Sequence, residues 1–150
     1  MRPVVFVLLM VFGASTLQPA PNPEGSVFSG TWVLNREKSK LPSGYPYRSM
    51  TLQFAVVFDT VTIGGRFVTT TGQTQTATEL FHMDGKEHPG TLNPGVVITA
   101  RWIDARTLET GGKKDGQDVG AVTYQVSRDG RTLTQKYSRS PEQELVFDHR

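Results

Sequence analysis

Phe28-Ser29-Gly30-Thr31-Trp32-Val33-Leu34 decides the fold. Successive side chains of an extended chain point to opposite faces, so Phe28, Gly30, Trp32 and Leu34 share one face, while Ser29 and Thr31 lie on the other. A large aromatic on the apolar face makes this a half-buried strand. Asn35 can cap a single helical turn over 36–40, which Pro42 prevents from continuing. The segment from Leu41 to Arg48 holds Pro42, Gly44, Pro46, Tyr45 and Tyr47. It is too apolar for an ordinary connection and too broken for a strand.

From Met50 the period of two is clear, with Met50, Leu52, Phe54 and Val56 on one face and Thr51, Gln53 and Ala55 on the other. Further strands are expected over 59–63, 66–71, 76–83, 96–103, 107–111, 119–127, 132–137 and 144–149. Gly64-Gly65 is expected to interrupt the ladder as a bulge or turn, and 89–94 to leave the sheet as a Gly/Pro/Asn loop. Asp84-Gly85, Asp115-Gly116 and Asp129-Gly130 are hairpin-turn pairs. No long amphipathic helix is visible. Nine or ten short strands without helical crossovers predict an all-β, up-and-down antiparallel meander, closed into an eight- to ten-stranded barrel because closure removes exposed edges.

The start of the chain reads as an export signal. Arg2 is a minimal positive region, 4–12 is an unbroken apolar run, and Gly13, Ala14 and Ser15 are small residues of the kind that precede cleavage. The signal peptide is assigned to 1–20, with the cut falling between 15 and 23, followed by a flexible lead-in over 21–26 and the barrel over 27–150. The product is expected to be secreted or periplasmic. The apolar run is shorter than the roughly 20 residues a helix needs to span a bilayer, so no membrane span is expected. With Cys 0, neither disulfides nor a lipid-bearing cysteine can hold or anchor the chain. Lys+Arg 16 against Asp+Glu 14 gives +2, or +1 once Arg2 is removed, with the cations scattered. Nucleic-acid binding therefore has no electrostatic footprint.

Trp102 follows Val96, Ile98 and Ala100 on one strand face, either lining a cavity or completing a filled core, with Arg101 on the opposite face. Tyr124 shares a face with Val122 and Val126, and Tyr137 with Leu133, so both are candidate wall residues. Tyr45 and Tyr47 form a candidate lid, and His82 is the one histidine inside an expected strand interior. His82, Asp84, Glu87 and His88 are the densest set of metal-ligating types, but they straddle an Asp-Gly turn, and no metal site is assigned. There is no cysteine nucleophile, no Gly-x-Ser-x-Gly elbow, no phosphate-binding glycine loop and no His-Glu-x-x-His helix. No catalytic residue and no cofactor are expected.

Four stretches, 28–39, Met50-Thr51-Leu52, 129–134 and 145–150, together resemble the small exported lipocalin-like proteins of bacteria. Gly30-x-Trp32 is similar to the motif of the lipocalins and wider calycin barrels. The resemblance implies that Gly30 and Trp32 are structural, that Trp32 plugs a closed end, and that Arg139 or Arg150 packs over it. It also implies an apolar interior site. The Thr-Asp-Tyr type second motif of lipocalins has no counterpart here. The expected function is that of a monomeric, non-enzymatic exported barrel binding a small, mostly apolar ligand through Tyr45, Tyr47, His82, Trp102, Tyr124 and Tyr137. The alternative is a cell-envelope protein-interaction or inhibitor module whose barrel is filled by side chains and whose partner is an envelope protein.

Overall fold

The computed structural model describes residues 26–150, so the expected leader and nearly all of the lead-in lie outside the described residues. Ten antiparallel strands follow one another: β1 Gly30–Leu34, β2 Tyr47–Val57, β3 Thr60–Thr69, β4 Thr74–His82, β5 His88–Pro89, β6 Val96–Asp104, β7 Thr107–Lys114, β8 Gln117–Val126, β9 Thr132–Tyr137 and β10 Ser140–His149. Their order in the sheet is β4-β3-β2-β1-β10-β9-β8-β7-β6-β5. Apart from β1 with β10, every neighbouring pair is consecutive in sequence. β1 lies between β2 and β10, with Trp32 opposite both Leu52 and His149, so the first and last strands join the two halves of the meander. The result is a nearly closed barrel.

Closure is incomplete at one seam, where β4 approaches β6 without a hydrogen-bonded ladder. Two sets of bonds cross the gap. Gly85 N donates to Ala100 O at 2.9 Å, and the Glu79 carboxylate of β4 receives donors from the loop after β5. Pro89 explains why β5 is so short, since proline has no N–H to extend a ladder and is tolerated at an edge. The loop expected over 89–94 therefore gives up its first residue to a two-residue strand, in which His88 faces Ile98 and Pro89 faces Val97.

Two other local expectations are corrected. No helix occurs among the described residues. Asn35 caps as expected, its Oδ1 accepting from Lys38 N at 3.1 Å, but Lys40 is drawn into a bridge with Glu144, giving Lys40 N to Glu144 O at 2.7 Å and the return bond at 3.0 Å. That pairing stops the chain at a turn. Nor does Gly64-Gly65 interrupt the sheet, because β3 runs straight through it with Gln53 opposite Gly64 and Leu52 opposite Gly65. The reason is space. The Phe67 ring, two residues along the same face, lies where a Gly65 Cβ would stand, so the bare backbone there serves as a seat for an aromatic ring.

Hairpin chemistry matches the sequence at Asp115-Gly116, where both residues have positive φ, 51° and 76°, as a type I′ turn requires. Inside the barrel, Phe28, Trp32, Phe54, Val61, Leu108, Val126, Leu133, Leu145 and Phe147 are fully buried and form the core. They concentrate at the end where β1 begins.

Candidate functional site

The plugged end explains why the rest of the barrel can be hollow. Trp32 is 0% exposed, and its indole N–H, which could not be left unpaired there, donates to Phe28 O at 2.8 Å. Phe28 packs on Phe54 and Trp102 with ring centroids 5.8 and 5.5 Å away. His149 lies against the Trp32 ring at 4.6 Å, and its Nε2 would sit 2.6 Å from any Cβ at Gly30, whose φ is +127°. This tight stack needs glycine at position 30. The cation expected over Trp32 is thus replaced by His149. Arg139 instead donates to Asp118 O, and Arg150 meets β1 through its backbone N, which donates to Thr31 O.

Beyond this plug lies a cavity of about 250 Å³, lined by inward side chains of β2, β3, β4, β8 and β9. Met50, Leu52, Ile63, Phe67, Ala77 and Phe81 make its apolar wall, Gly65 lies in it under the Phe67 ring, and half-exposed Leu92 stands at its rim beside the seam. Four polar residues interrupt the apolar wall: Glu79, Tyr124, Gln135 and Tyr137. Larger depressions exist on the outside, such as one of about 700 Å³ lined by Asp104, Arg106, Gln125, Ser127 and Arg128, but it is open to water and its wall is largely polar. A mostly apolar concavity with a few placed polar groups is the usual form of a small-molecule site. The interior cavity has it, and so does a depression of about 280 Å³ beside β6, β7 and β8, lined by Val96, Ile98, Val119 and Val122 with Tyr137 and Arg139; only the first lies among the inward side chains of β2, β3 and β4.

Glu79 is 7% exposed. Its Oε1 accepts from Thr91 N at 3.1 Å and Thr91 Oγ1 at 2.8 Å, and its Oε2 from Thr91 N and Leu92 N, both at 3.1 Å. The carboxylate thereby ties β4 to the loop at the rim. Gln135 Nε2 donates to Tyr124 Oη at 3.2 Å, while Gln135 Oε1 is buried with no partner. Burial pushes the Tyr124 phenol up to about 12, against the opposing effect of that hydrogen bond. Tyr137 is raised further, by burial first and then by Tyr124 and Tyr45. Both phenols stay neutral donor-acceptors.

Of the residues singled out in the sequence, Tyr124 and Tyr137 line the cavity. Tyr45 and Tyr47 stand next to it, half-buried, with Tyr47 packed on the cavity residue Phe67 at 5.4 Å and on Tyr45 at 5.9 Å. Burial and then Tyr47 push the Tyr45 phenol up to about 12, with Arg36 opposing. Trp102 packs at the plugged end instead of in the cavity, and Arg101 points outward to pair with Glu109 at 3.1 Å. His82, next to the cavity residue Phe81 but on the other face of β4, does not line the cavity and stacks on His88 with ring centroids 4.3 Å apart. His88 bonds Asp84 at 2.9 Å and Glu87 pairs with Lys113 at 2.6 Å. Among the described residues no group of three or more ligating side chains could hold a metal ion.

Glu79 and Gln135 are the site residues the sequence reading passed over. Each had a signal, as each occupies the inward phase of its strand: Ala77, Glu79, Phe81 in β4 and Leu133, Gln135, Tyr137 in β9. A polar residue in an apolar phase is the informative kind of exception.

This arrangement is a nearly closed, ten-stranded antiparallel β-barrel. Among solved structures it is similar to the fluorescent protein UnaG in its wild-type form, with a TM-score of 0.58, 17% identity, and cover of 82% of this chain and 96% of that one. It is also similar to a Schistosoma mansoni fatty acid binding protein in complex with arachidonic acid, with a TM-score of 0.51, 12% identity, and cover of 83% and 97%. At such identities the likeness is one of fold. No protein-family model matches the sequence, and no curated protein matches it.

Proposed function

We propose that this protein is an exported, monomeric, non-enzymatic barrel that binds one small, mostly apolar molecule in the cavity beneath Tyr45 and Tyr47. The observation that carries the reading is the 250 Å³ interior space, walled by apolar side chains and entered beside Leu92. Burial at about 25 cal/mol per Å² of apolar surface supplies the affinity. The fold supports this reading, since a solved barrel of the same architecture is a fatty acid binding protein with arachidonic acid bound.

The alternative, an envelope-protein docking module, needed a filled barrel and an exposed apolar loop. Instead the barrel is hollow, and Leu41, Tyr45 and Tyr47 turn inward to pack on the core. Ligand-detected NMR with ethylbenzene on the purified chain tests the binding reading. Saturable binding that is lost when Ala77→Phe fills the wall is the expected result, whereas absence of binding, or binding indifferent to that substitution, rejects it. Export rests on the segment 1–20, and expression in a secreting bacterial host followed by N-terminal sequencing should find a new terminus between residues 15 and 23.

A further inference from the structure

We infer that the depression beside β6, β7 and β8 is a second binding site, which takes a small apolar anion with its body against Val96, Ile98 and Val122 and its charge at Arg139. The two concavities share one wall residue and differ in sign. Tyr137, kept neutral chiefly by burial, lines both of them. Among the described residues, Glu79 is the one charged group lining the interior cavity, whereas Arg139 is the one charged group lining the depression. An apolar molecule that carries a negative charge is therefore opposed in the first and matched in the second.

The chain holds that guanidinium in place and leaves its charge unmatched. Gly120 has a φ of +112°, and a Cβ there would stand 3.2 Å from both Cγ and Cδ of Arg139, so the arginine stem lies over bare backbone. One guanidinium N–H donates to Asp118 O. No carboxylate among the described residues pairs with Arg139. The Asp118 carboxylate is turned elsewhere, accepting from Gly120 N at 2.6 Å and lining a separate groove with Glu87 and Lys113. A guanidinium has five N–H donors, and with one spent on a carbonyl the others can receive a carboxylate through charge-assisted bonds. The apolar residues beside it give the rest of such a ligand a surface to cover.

Amide-resolved NMR titration of the purified chain with 4-ethylbenzoate, 4-ethylbenzylammonium and ethylbenzene is the test. The benzoate should shift the amides of Gly112, Gly120 and Val122 and bind there about fivefold tighter than the ammonium, the ratio expected of one ion pair near the surface. Added salt should shrink that preference. Arg139→Gln keeps a carbon stem over Gly120 and drops the charge, so it should remove the preference while leaving the response of Gly65 and Ala77 to ethylbenzene as it is in the wild type. No benzoate binding, binding that leaves those three amides unmoved, an anion no tighter than the cation in the wild type, or a preference that survives Arg139→Gln each overturns the inference. The two sites use different walls, so a failure of ethylbenzene to bind rejects the cavity reading and leaves this one standing.

Discussion

The two ends of this barrel are built from the same alternating strands, yet one is solid and the other is hollow. At the solid end four large rings converge: Trp32, Phe28, Phe54 and Trp102, with His149 laid on Trp32 and Gly30 cleared to let it in. At the hollow end an inward position of β4 carries only Ala77, the Phe67 ring lies flat over Gly65, and Tyr47 and Tyr45 pack beside it. The contrast is one of side-chain volume at equivalent strand phases. It also divides the labour, since aromatic burial at one end stabilises a fold whose other end forgoes dispersion contacts around empty space.

If that division is right, the largest effect belongs to the plug. Trp32→Ala removes a fully buried ring, leaves Phe28 O without its donor and takes away the surface that His149 stacks on. A loss of about 3–5 kcal/mol is expected. Urea unfolding measures it, and a loss below about 1 kcal/mol would show that the stability resides elsewhere.

The phenols of the hollow half give the next effect, through pH. Tyr124 has its pKa raised from 10.0 to about 12 in the folded chain, chiefly by burial. Between those values the unfolded chain has released a proton that the folded chain keeps, so stability falls as pH rises from about 10 to about 12 and is undiminished below that window. The full interval corresponds to about 3 kcal/mol. Stability measured across the window should fall less steeply in Tyr124→Phe than in the wild type; equal slopes would mean that this phenol is not shielded from water.

The seam ranks third. Glu79→Ala leaves Thr91 N, Thr91 Oγ1 and Leu92 N without their acceptor and should cost about 1–3 kcal/mol. Amide exchange at Thr91 and Leu92 should accelerate while that at Trp32 is unchanged. Uniform acceleration would mean that the seam and the plug unfold as one unit.

How far this was legible in the sequence follows the same division. The solid end could be read directly, because Phe28, Gly30, Trp32 and Leu34 declare their face through simple alternation and Trp32 has room in only one place. The hollow end was half legible. Tyr124 and Tyr137 emerged from the phase of β8 and β9, but Glu79 and Gln135 look like ordinary surface residues until the strand's inward phase is fixed. Gly64-Gly65 misled for a related reason: a glycine that seats the Phe67 ring within a strand is spelled the same as one that ends it. The phase of β6 left Trp102 either lining a cavity or completing the core, and its ring packs on Phe28 at the plugged end. His82 falls in the outward phase of β4, once Ala77, Glu79 and Phe81 are fixed as inward, and stacks on His88.

The smallest effect is the sharpest probe, since one substitution should act with different sign at a packed position and at the cavity wall. Ala100 in β6 is 2% exposed among packed neighbours, whereas Ala77 in β4 borders the cavity. Three added carbons at Ala100 have no space to enter, so Ala100→Leu should destabilise by about 1–3 kcal/mol through displaced side chains. The same carbons at Ala77 extend into empty volume, gaining apolar contact that was missing, and Ala77→Leu should be neutral or stabilising by up to about 1 kcal/mol. That gain should come with weaker ethylbenzene binding, because the leucine occupies the ligand's space. Thermal unfolding of the two variants, with and without ethylbenzene, measures all three terms. Equal destabilisation at both positions would mean that the barrel is as tightly filled around Ala77 as around Ala100, and the hollow half of the comparison would not survive it.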